Sequence, residues 1–214
     1  MTVSGGGEVS IERVVTSGVF ALDGGEWEVD NNVWLIGDER EVLVVDAAHD
    51  AAPIVEAVGG RHVIAVLCTH GHNDHVTVAP ELAERLDAPV LLHPGDEPLW
   101  RMTHPDADYR SLADTSRITV AGIDIDVLHT PGHSPGSVSL YLPEQGALFT
   151  GDTLFAGGPG ATGRSYSDFD TIIDSIRDHL LTLPEDTTVH TGHGDGTTIG
   201  AEKPHLAEWI ARGH

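Results

Sequence analysis

Cysteine is almost absent from this sequence of 214 residues, and basic residues are few. The single cysteine, Cys68, excludes an internal disulfide and a thiolate metal cluster. The sequence has 34 Asp and Glu residues but only 11 Lys and Arg residues. The resulting formal charge of −23 repels the phosphate backbone of a nucleic acid. No apolar run approaches the roughly 18 residues of a membrane span, and residues 1–8 have neither the basic start nor the apolar stretch of a secretory signal. These absences predict a cytoplasmic protein with a small-molecule substrate and with neither nucleic acid nor a membrane as a partner; the oligomeric state is left open.

The composition is that of an ordinary folded protein, with 40% apolar and 21% charged residues. The length of 214 residues fits one large domain, since domains usually have roughly 100–200 residues. Residues 1–8 are rich in Gly and Ser, and we expect a flexible tail there. No linker, repeat or low-complexity stretch interrupts residues 9–214, so the sequence predicts a single domain over this range.

Short apolar runs alternate with helical patterns along the chain, which is typical of an α/β fold. Buried strands are predicted at Glu41 to Asp46 and at His62 to Cys68. The clearest helix runs from Asp168 to Leu183, with apolar residues on one face and Ser167 as its predicted N-cap. The stretch from His93 to about Thr115 is expected to be irregular. The other predicted strands are Val14 to Leu22, Val33 to Gly37, Pro89 to His93, Ile118 to Val120, Ile123 to His129, Ser137 to Leu142, Ala147 to Thr150 and Thr188 to Thr191; the other predicted helices are Ala51 to Val58, Val78 to Leu86 and Ala201 to Ile210.

Histidine is the residue in excess, with 14 copies, and it is the commonest metal ligand in proteins. Four potential ligands fall within six residues of one loop, directly after the strand that ends at Cys68. Three further polar residues also follow predicted strands and are flanked by glycines, which allow sharp turns and close approach of the backbone. This layout predicts a metal or catalytic site at the strand ends. The seven residues are His70, His72, Asp74, His75, His133, Asp152 and His193.

The order of these motifs is similar to that of the metallo-β-lactamase superfamily. The chain has HxHxDH from His70 to His75, then GHSPGS around His133, GDTLF around Asp152 and GHG around His193. The resemblance covers nearly the whole chain from Val14 onward. It implies a four-layered αββα sandwich, in which two mixed β-sheets are flanked by helices and the metals lie in a cleft along one edge of the paired sheets.

Carried over residue by residue, the resemblance implies a hydrolase with two metal ions per chain. It assigns His70, His72 and His133 to one metal, Asp74, His75 and His193 to the second, and Asp152 to both as a bridge. Zinc suits these imidazole and carboxylate ligands, and iron or manganese would also accept them. Two adjacent cations lower the pKa of a shared water, and the resemblance gives Asp74 a catalytic role in orienting the resulting hydroxide.

Asp152 separates this sequence from true β-lactamases, which have a cysteine or no side chain at the bridging position. The segment from Gly151 to Gly160 resembles that of glyoxalase II (hydroxyacylglutathione hydrolase) enzymes, which hydrolyse thioesters of glutathione. In that group a basic residue and a tyrosine two positions later contact the thiol carrier, and Arg164 and Tyr166 have this spacing. The resemblance therefore favours hydrolysis of a thioester of a small thiol carrier.

Several alternatives stay open. Only a single helix, Ala201 to Ile210, is predicted after His193 where glyoxalase II has a larger helical region, so a carrier other than glutathione, such as mycothiol, fits as well. Persulfide dioxygenases have a similar framework and use one iron, here at His70, His133 and Asp152; lactonases are a further possibility. Asp46 is either a hydrogen-bonding group that fixes the HxHxDH loop or an ordinary acid at a strand end.

Overall fold

The structure, a computed structural model, describes residues 8–113 and 116–213. The predicted four-layered αββα sandwich is confirmed, since two mixed six-stranded sheets are flanked by helices. Residues 1–7 of the predicted tail lie outside the described residues, so the tail stays a prediction. Among the described residues, no helix is long and apolar enough to cross a membrane.

The first sheet has the strand order β1-β2-β3-β4-β5-β6. Its first three strands are antiparallel neighbours and the remaining pairs are parallel. The strands are β1 (Ser10–Leu22), β2 (Gly25–Gly37), β3 (Glu41–Val45), β4 (His62–Leu67), β5 (Val90–Leu92) and β6 (Arg110–Ser111).

The second sheet has the order β14-β13-β10-β9-β8-β7, with β10 and β13 parallel and the other neighbours antiparallel. Two short strands, β11 and β12, pair separately after β10. The bounds are β7 (Arg117–Val120), β8 (Ile123–His129), β9 (Val138–Leu142), β10 (Ala147–Gly151), β11 (Leu154–Phe155), β12 (Gly158–Pro159), β13 (Thr188–Thr191) and β14 (Thr197–Thr198).

Helices cover the outer faces of the two sheets. The segment α5 continues as a π-helical turn, Ile176–Leu180, in place of the single long helix predicted from the sequence. The helices are α1 (Ala51–Val58), α2 (Asn73–Val76), α3 (Ala79–Leu86), α4 (Glu97–Thr103), α5 (Phe169–Ser175), α6 (Ile199–Glu202) and α7 (Leu206–Arg212).

Three apolar clusters join the four layers. Alternate residues of each strand point to opposite faces of a sheet, so Val42 and Val44 of β3 pack toward the helices while Leu43 and Val45 pack between the sheets. The third cluster packs the second sheet against α5 and α7, with Trp209 fully buried. Burial on both sides makes the sheets a rigid support for the loops at their edge.

The structure corrects four further predictions of secondary structure. The N-cap of α5 is Asp168 and not Ser167, because the Asp168 carboxylate accepts from Thr171 N at 2.8 Å. The stretch expected to be irregular contains α4, and the C-terminal helix is divided into α6, a 3₁₀ turn and α7. The strands predicted near the N-terminus are parts of a long β1–β2 hairpin, in which Asp23 and Gly24 have positive φ values of 54° and 77°, as a tight hairpin turn requires.

Candidate metal centre

The structure brings all seven predicted site residues to one edge of the sandwich. The HxHxDH segment follows β4, with Asp74 and His75 on α2, and His133, Asp152 and His193 follow β8, β10 and β13. Within each of three groups, the possible ligand atoms lie within 4.8 Å of one another. The groups are His70, His72 and His133; His70, His75 and Asp152; and Asp74, His75 and His193.

The hydrogen bonds of three histidines fix which ring nitrogen is free to bind a cation. His75 Nδ1 lies 3.0 Å from Asp46 Oδ2, His193 Nδ1 lies 2.7 Å from Asp30 O, and His133 Nδ1 lies 2.9 Å from Ala161 O. Carboxylate and carbonyl oxygens only accept hydrogen bonds, so each Nδ1 carries a hydrogen and each Nε2 is the nitrogen that a cation can bind in place of a proton. The three Nε2 atoms face the carboxylates of the cluster.

Several buried atoms of the cluster have no hydrogen-bond partner among the described residues. They include His70 Nε2, Asp74 Oδ1 and Asp152 Oδ1. A buried polar atom without a partner is costly, at about 1–3 kcal/mol, and such atoms are rare in folded proteins. Bound cations would take His70 Nε2 and Asp152 Oδ1 as ligands, so these side chains fit a metal site.

The charges of the cluster divide it into two halves. The first half is His70, His72 and His133, and the second half is Asp74, His75 and His193. Burial, and then the neighbouring His133, lowers the pKa of His72 to about 3, so His72 offers a neutral imidazole. Burial also opposes protonation of His193, but the nearby Asp152 and Asp74 outweigh it and raise its pKa to about 10. The negative field of these carboxylates attracts positive charge, and a cation can take the place of the proton.

Asp46 stands behind the cluster and holds the HxHxDH loop. Its Oδ1 accepts from Thr69 N at 2.7 Å, and its Oδ2 accepts from Thr69 Oγ1 at 2.8 Å and from His75 Nδ1. The backbone of Asp46 has φ 60°, a conformation that few residues other than glycine adopt. The sequence leaves two interpretations of Asp46 open, and these contacts favour the hydrogen-bonding one.

Asp96 ties two ligand-bearing loops together, and the sequence motifs gave no sign of it. It is fully buried, and it accepts from Gly71 N at 2.7 Å, Ser134 Oγ at 2.6 Å and Gly136 N at 2.5 Å. Gly71 lies between two predicted ligands and Ser134 follows a third. A Cβ on Gly136 would lie 2.6 Å from Asp96 N, so glycine is needed there.

A pocket of about 430 Å³ opens onto the cluster. Its outer wall comes from the β1–β2 hairpin, where Phe20 and Trp27 stack with ring centroids 5.5 Å apart. Arg164 also lines the pocket, and its guanidinium lies 3.9 Å from the Trp27 ring centre. Tyr166 is not among the described residues that line the pocket, and 42% of it is exposed. The structure thus places Arg164, but not Tyr166, at the pocket that opens onto the cluster.

Comparison with known proteins agrees with the motifs and the fold. The sequence profile described as the Metallo-beta-lactamase superfamily matches residues 27–193. The chain belongs to this superfamily. Its membership and the His and Asp groups together support a metal-dependent enzyme of the metallo-hydrolase type.

Three similar proteins place the chain within the metallo-beta-lactamase superfamily more closely. Hydroxyacylglutathione hydrolase GloC of Haemophilus influenzae is 32% identical over 78% of this chain and 86% of its own length. The crystal structure of TTHA1623 in a di-iron-bound form is 34% identical, with a TM-score of 0.75 over 82% of this chain and 93% of that one. The crystal structure of ETHE1 from Myxococcus xanthus is 26% identical, with a TM-score of 0.73 over 94% of this chain and 89% of that one.

Several residues at the site are far from its motifs in the chain and were not predicted from the sequence. Phe20 and Trp27 lie on a hairpin that was only partly predicted, and Asn31 lies on β2 with its amide among the ligand atoms. The Asp23-Gly24 turn was the available signal for the hairpin. For Asp96 no local pattern was available, since its partners lie 25 to 40 residues away.

Proposed function

We propose that the protein hydrolyses thioesters of a small thiol carrier with the help of two divalent cations. The observation that carries the proposal is one pocket that joins the ligand cluster to Arg164 and an aromatic wall. The cluster fits the reacting carbonyl, and the wall and the guanidinium fit an extended carrier with an anionic end. The similarity to a hydroxyacylglutathione hydrolase supports the same class of substrate.

The distances around Asp152 support a bridging position. Asp152 Oδ2 lies 3.6 Å from His133 Nε2 and 3.4 Å from His193 Nε2, while Oδ1 lies 3.4 Å from His75 Nε2. We therefore keep the assignment of one cation to each side of Asp152. When bound, such a pair of cations supplies hydroxide near neutral pH and polarises an acyl carbonyl. The first side comprises His70, His72 and His133, and the second Asp74, His75 and His193.

Asp74 has the contacts that an orienting base needs. Its Oδ2 faces His193 Nε2 at 3.3 Å, whereas its Oδ1 is buried without a partner among the described residues. Burial opposes the charge of Asp74, but His75 and His193 lower its pKa to about 2, so it stays a carboxylate. Oδ1 can then accept a hydrogen bond from the attacking water and orient it toward the substrate.

The leaving group needs little assistance in this proposal. A thiol has a pKa near 8.5, so it departs as a thiolate without a general acid. Arg164 would hold the carrier, and Tyr166 would contact only a part that extends beyond the pocket. The net negative charge of the chain favours a small-molecule substrate over nucleic acid, and we keep a cytoplasmic location, with no membrane partner, within the proposal.

The test begins with metal analysis of the purified protein, followed by reloading with zinc, iron or manganese. Small acyl thioesters of glutathione and of mycothiol are then assayed by release of the thiol. We expect two cations per chain and much faster turnover of thioesters than of amides or β-lactams. Cys68 is fully buried, so it should add little background to a thiol assay.

Two variants separate the metal site from the pocket. Asp152→Ala should lose cations and turnover together, whereas Arg164→Ala should raise KM with an unchanged metal content. Arg177→Ala is a matched control, since Arg177 pairs with Asp178 at an exposed site. One iron per chain with oxygen consumption on a persulfide would replace the proposal by a dioxygenase, and preferred turnover of lactones would replace it by a lactonase.

A further inference from the structure

Asn31 lies at the second half of the cluster, although it belongs to none of the motifs. It is fully buried on β2, and its Nδ2 lies 3.2 Å from Asp74 Oδ2, 3.2 Å from His75 Nε2 and 3.5 Å from His193 Nε2. The carboxamide therefore faces all three possible ligand atoms at once.

The four atoms form a nearly regular tetrahedron. His75 Nε2 lies 3.2 Å from His193 Nε2 and 3.5 Å from Asp74 Oδ2, and His193 Nε2 lies 3.3 Å from Asp74 Oδ2. With the three distances to Asn31, all six edges lie between 3.2 and 3.5 Å. The centre of a tetrahedron of this size is about 2.0 Å from each corner, which is the usual length of a bond from zinc to nitrogen or oxygen. The end of the Asn31 side chain thus occupies a fourth corner of a cation-sized site.

The other three corners are atoms that can bind a cation, whereas an amide NH₂ cannot. The carboxamide oxygen can, and a half-turn about χ2 exchanges the two ends of Asn31 without changing the shape of the side chain. Oxygen from Asn, Asp or Glu is an ordinary ligand for divalent metals. The corner therefore suits Asn31 Oδ1.

His49 is placed to hold the carboxamide in either orientation. Its Nε2 lies 2.8 Å from the far end of Asn31, and a neutral imidazole nitrogen either donates to an oxygen or accepts from an NH₂. The position of His49 is built into the fold: its backbone has φ 56°, and a Cβ on Gly18 would lie 2.2 Å from its Nδ1. Non-glycine residues in this conformation are often found at functional sites.

We propose that Asn31 contributes its side-chain oxygen as an additional ligand to the cation held by Asp74, His75 and His193, with His49 as the residue that orients it. This inference rests on the proposed function for the presence of a cation in that group. It adds a ligand from β2 to a site whose other residues come from the segments after β4, β10 and β13. His49 acts through Asn31 and is a positioning residue.

The test measures Zn²⁺ affinity of the full chain by competition with a chromophoric chelator, and coordination by the visible absorption of bound Co²⁺. Asn31→Leu removes the oxygen but keeps a similar side-chain volume. The affinity for one of the two cations should fall by roughly tenfold to a hundredfold. Asn31→Asp keeps an oxygen in the same place and should retain most of the affinity and the Co²⁺ spectrum. His49→Phe, which leaves the carboxamide unheld, should give an intermediate loss.

The opposite order would overturn the inference. If Asn31 only donates an N–H to Asp74, Asn31→Asp sets two carboxylates side by side without a shared cation and binds more weakly than Asn31→Leu. Equal affinity of wild type and both variants would also overturn it. The cation at His70, His72 and His133 is the internal control in every titration, and a thermal melt of each variant identifies a general loss of folding.

The outcomes distinguish this inference from the proposed function. A wild-type chain that binds two cations but hydrolyses no thioester refutes the function, and the order of the Asn31 variants still decides the ligand. A wild-type chain that hydrolyses thioesters and has Asn31 variants of unchanged affinity refutes only the ligand. A chain that binds no cation refutes both.

Discussion

Asp96→Asn tests how the fold positions the first half of the metal centre. In the wild type, Asp96 Oδ2 accepts from Gly71 N at 2.7 Å and from Ser134 Oγ at 2.6 Å, and Oδ1 accepts from Gly136 N at 2.5 Å. Asparagine keeps one acceptor but places an NH₂ against the Gly71 N–H. The Ser134 hydroxyl can turn to accept, whereas the backbone N–H cannot.

The expected loss of stability follows from this single mismatch. A hydrogen bond to a charged group contributes about 1.5–3 kcal/mol, and a buried donor left without a partner costs about 1–3 kcal/mol. Removing the buried charge offsets part of this loss, because burial raises the pKa of Asp96 and so disfavours its ionised form. We expect a net decrease of about 2–4 kcal/mol in the free energy of unfolding. Affinity for a cation at His70, His72 and His133 should fall by roughly tenfold to a hundredfold.

Urea unfolding of the chelator-treated protein and Zn²⁺ competition measure the two effects separately. Glu202→Gln is the matched control, because Glu202 is also buried and accepts from Gly157 N at 3.0 Å and from Thr197 Oγ1 at 2.6 Å. Glu202→Gln should lower the free energy of unfolding and leave the affinity for a cation at His70, His72 and His133 unchanged. An Asp96→Asn protein that loses stability but binds this cation as tightly as wild type would refute the role of Asp96 in positioning the ligands.

Three further predictions concern other parts of the chain. Gly192→Ala should abolish cation binding, measured by elemental analysis, because a Cβ there would lie 2.3 Å from Asp152 Oδ1; a normally loaded variant would contradict the geometry. Asp38→Asn should lower stability in a pH-dependent way. The backbone N–H groups of Glu41 and Arg40 lower the pKa of Asp38 to about 2. The contribution of Asp38 to the free energy of unfolding is therefore complete above the unfolded pKa of about 3.9 and is lost as the pH falls through about 2. The difference in denaturation midpoint between variant and wild type should narrow over that window and stay constant from pH 5 to 7. Trp27→Ala removes the ring beneath Arg164 and should raise KM for an anionic thioester by roughly 2–30-fold, from a cation–π contribution of about 0.5–2 kcal/mol, with kcat unchanged.

The sequence by itself was sufficient to predict an α/β fold and the candidate ligands, and the resemblance of its motifs to a known superfamily implied the four-layered architecture. Apolar runs of strand length predict buried strands, and residues directly after parallel strands meet at one edge of a sheet. His70 to His75 are close in the chain, and His133, Asp152 and His193 each follow a strand of the second sheet, so strand order brings each set together. The packing of the two sheets then brings the two sets to one edge. The hydrogen-bonding role of Asp46 was one of two interpretations open from the sequence, and the parallel pairing of β3 with β4 places Asp46 beside the loop that it holds.

The tertiary structure alone decided which groups support and surround these ligands. Asp96 and Asn31 are single polar residues with no period or motif, and their partners become neighbours only when loops and strands far apart in the chain pack together. The pocket wall depends on the twist and length of the β1–β2 hairpin, which brings Trp27 over Arg164 across more than a hundred residues of chain. Hydrogen bonds and ring contacts act over a few ångströms, so they are set by distances in space, which spacing along the sequence does not record.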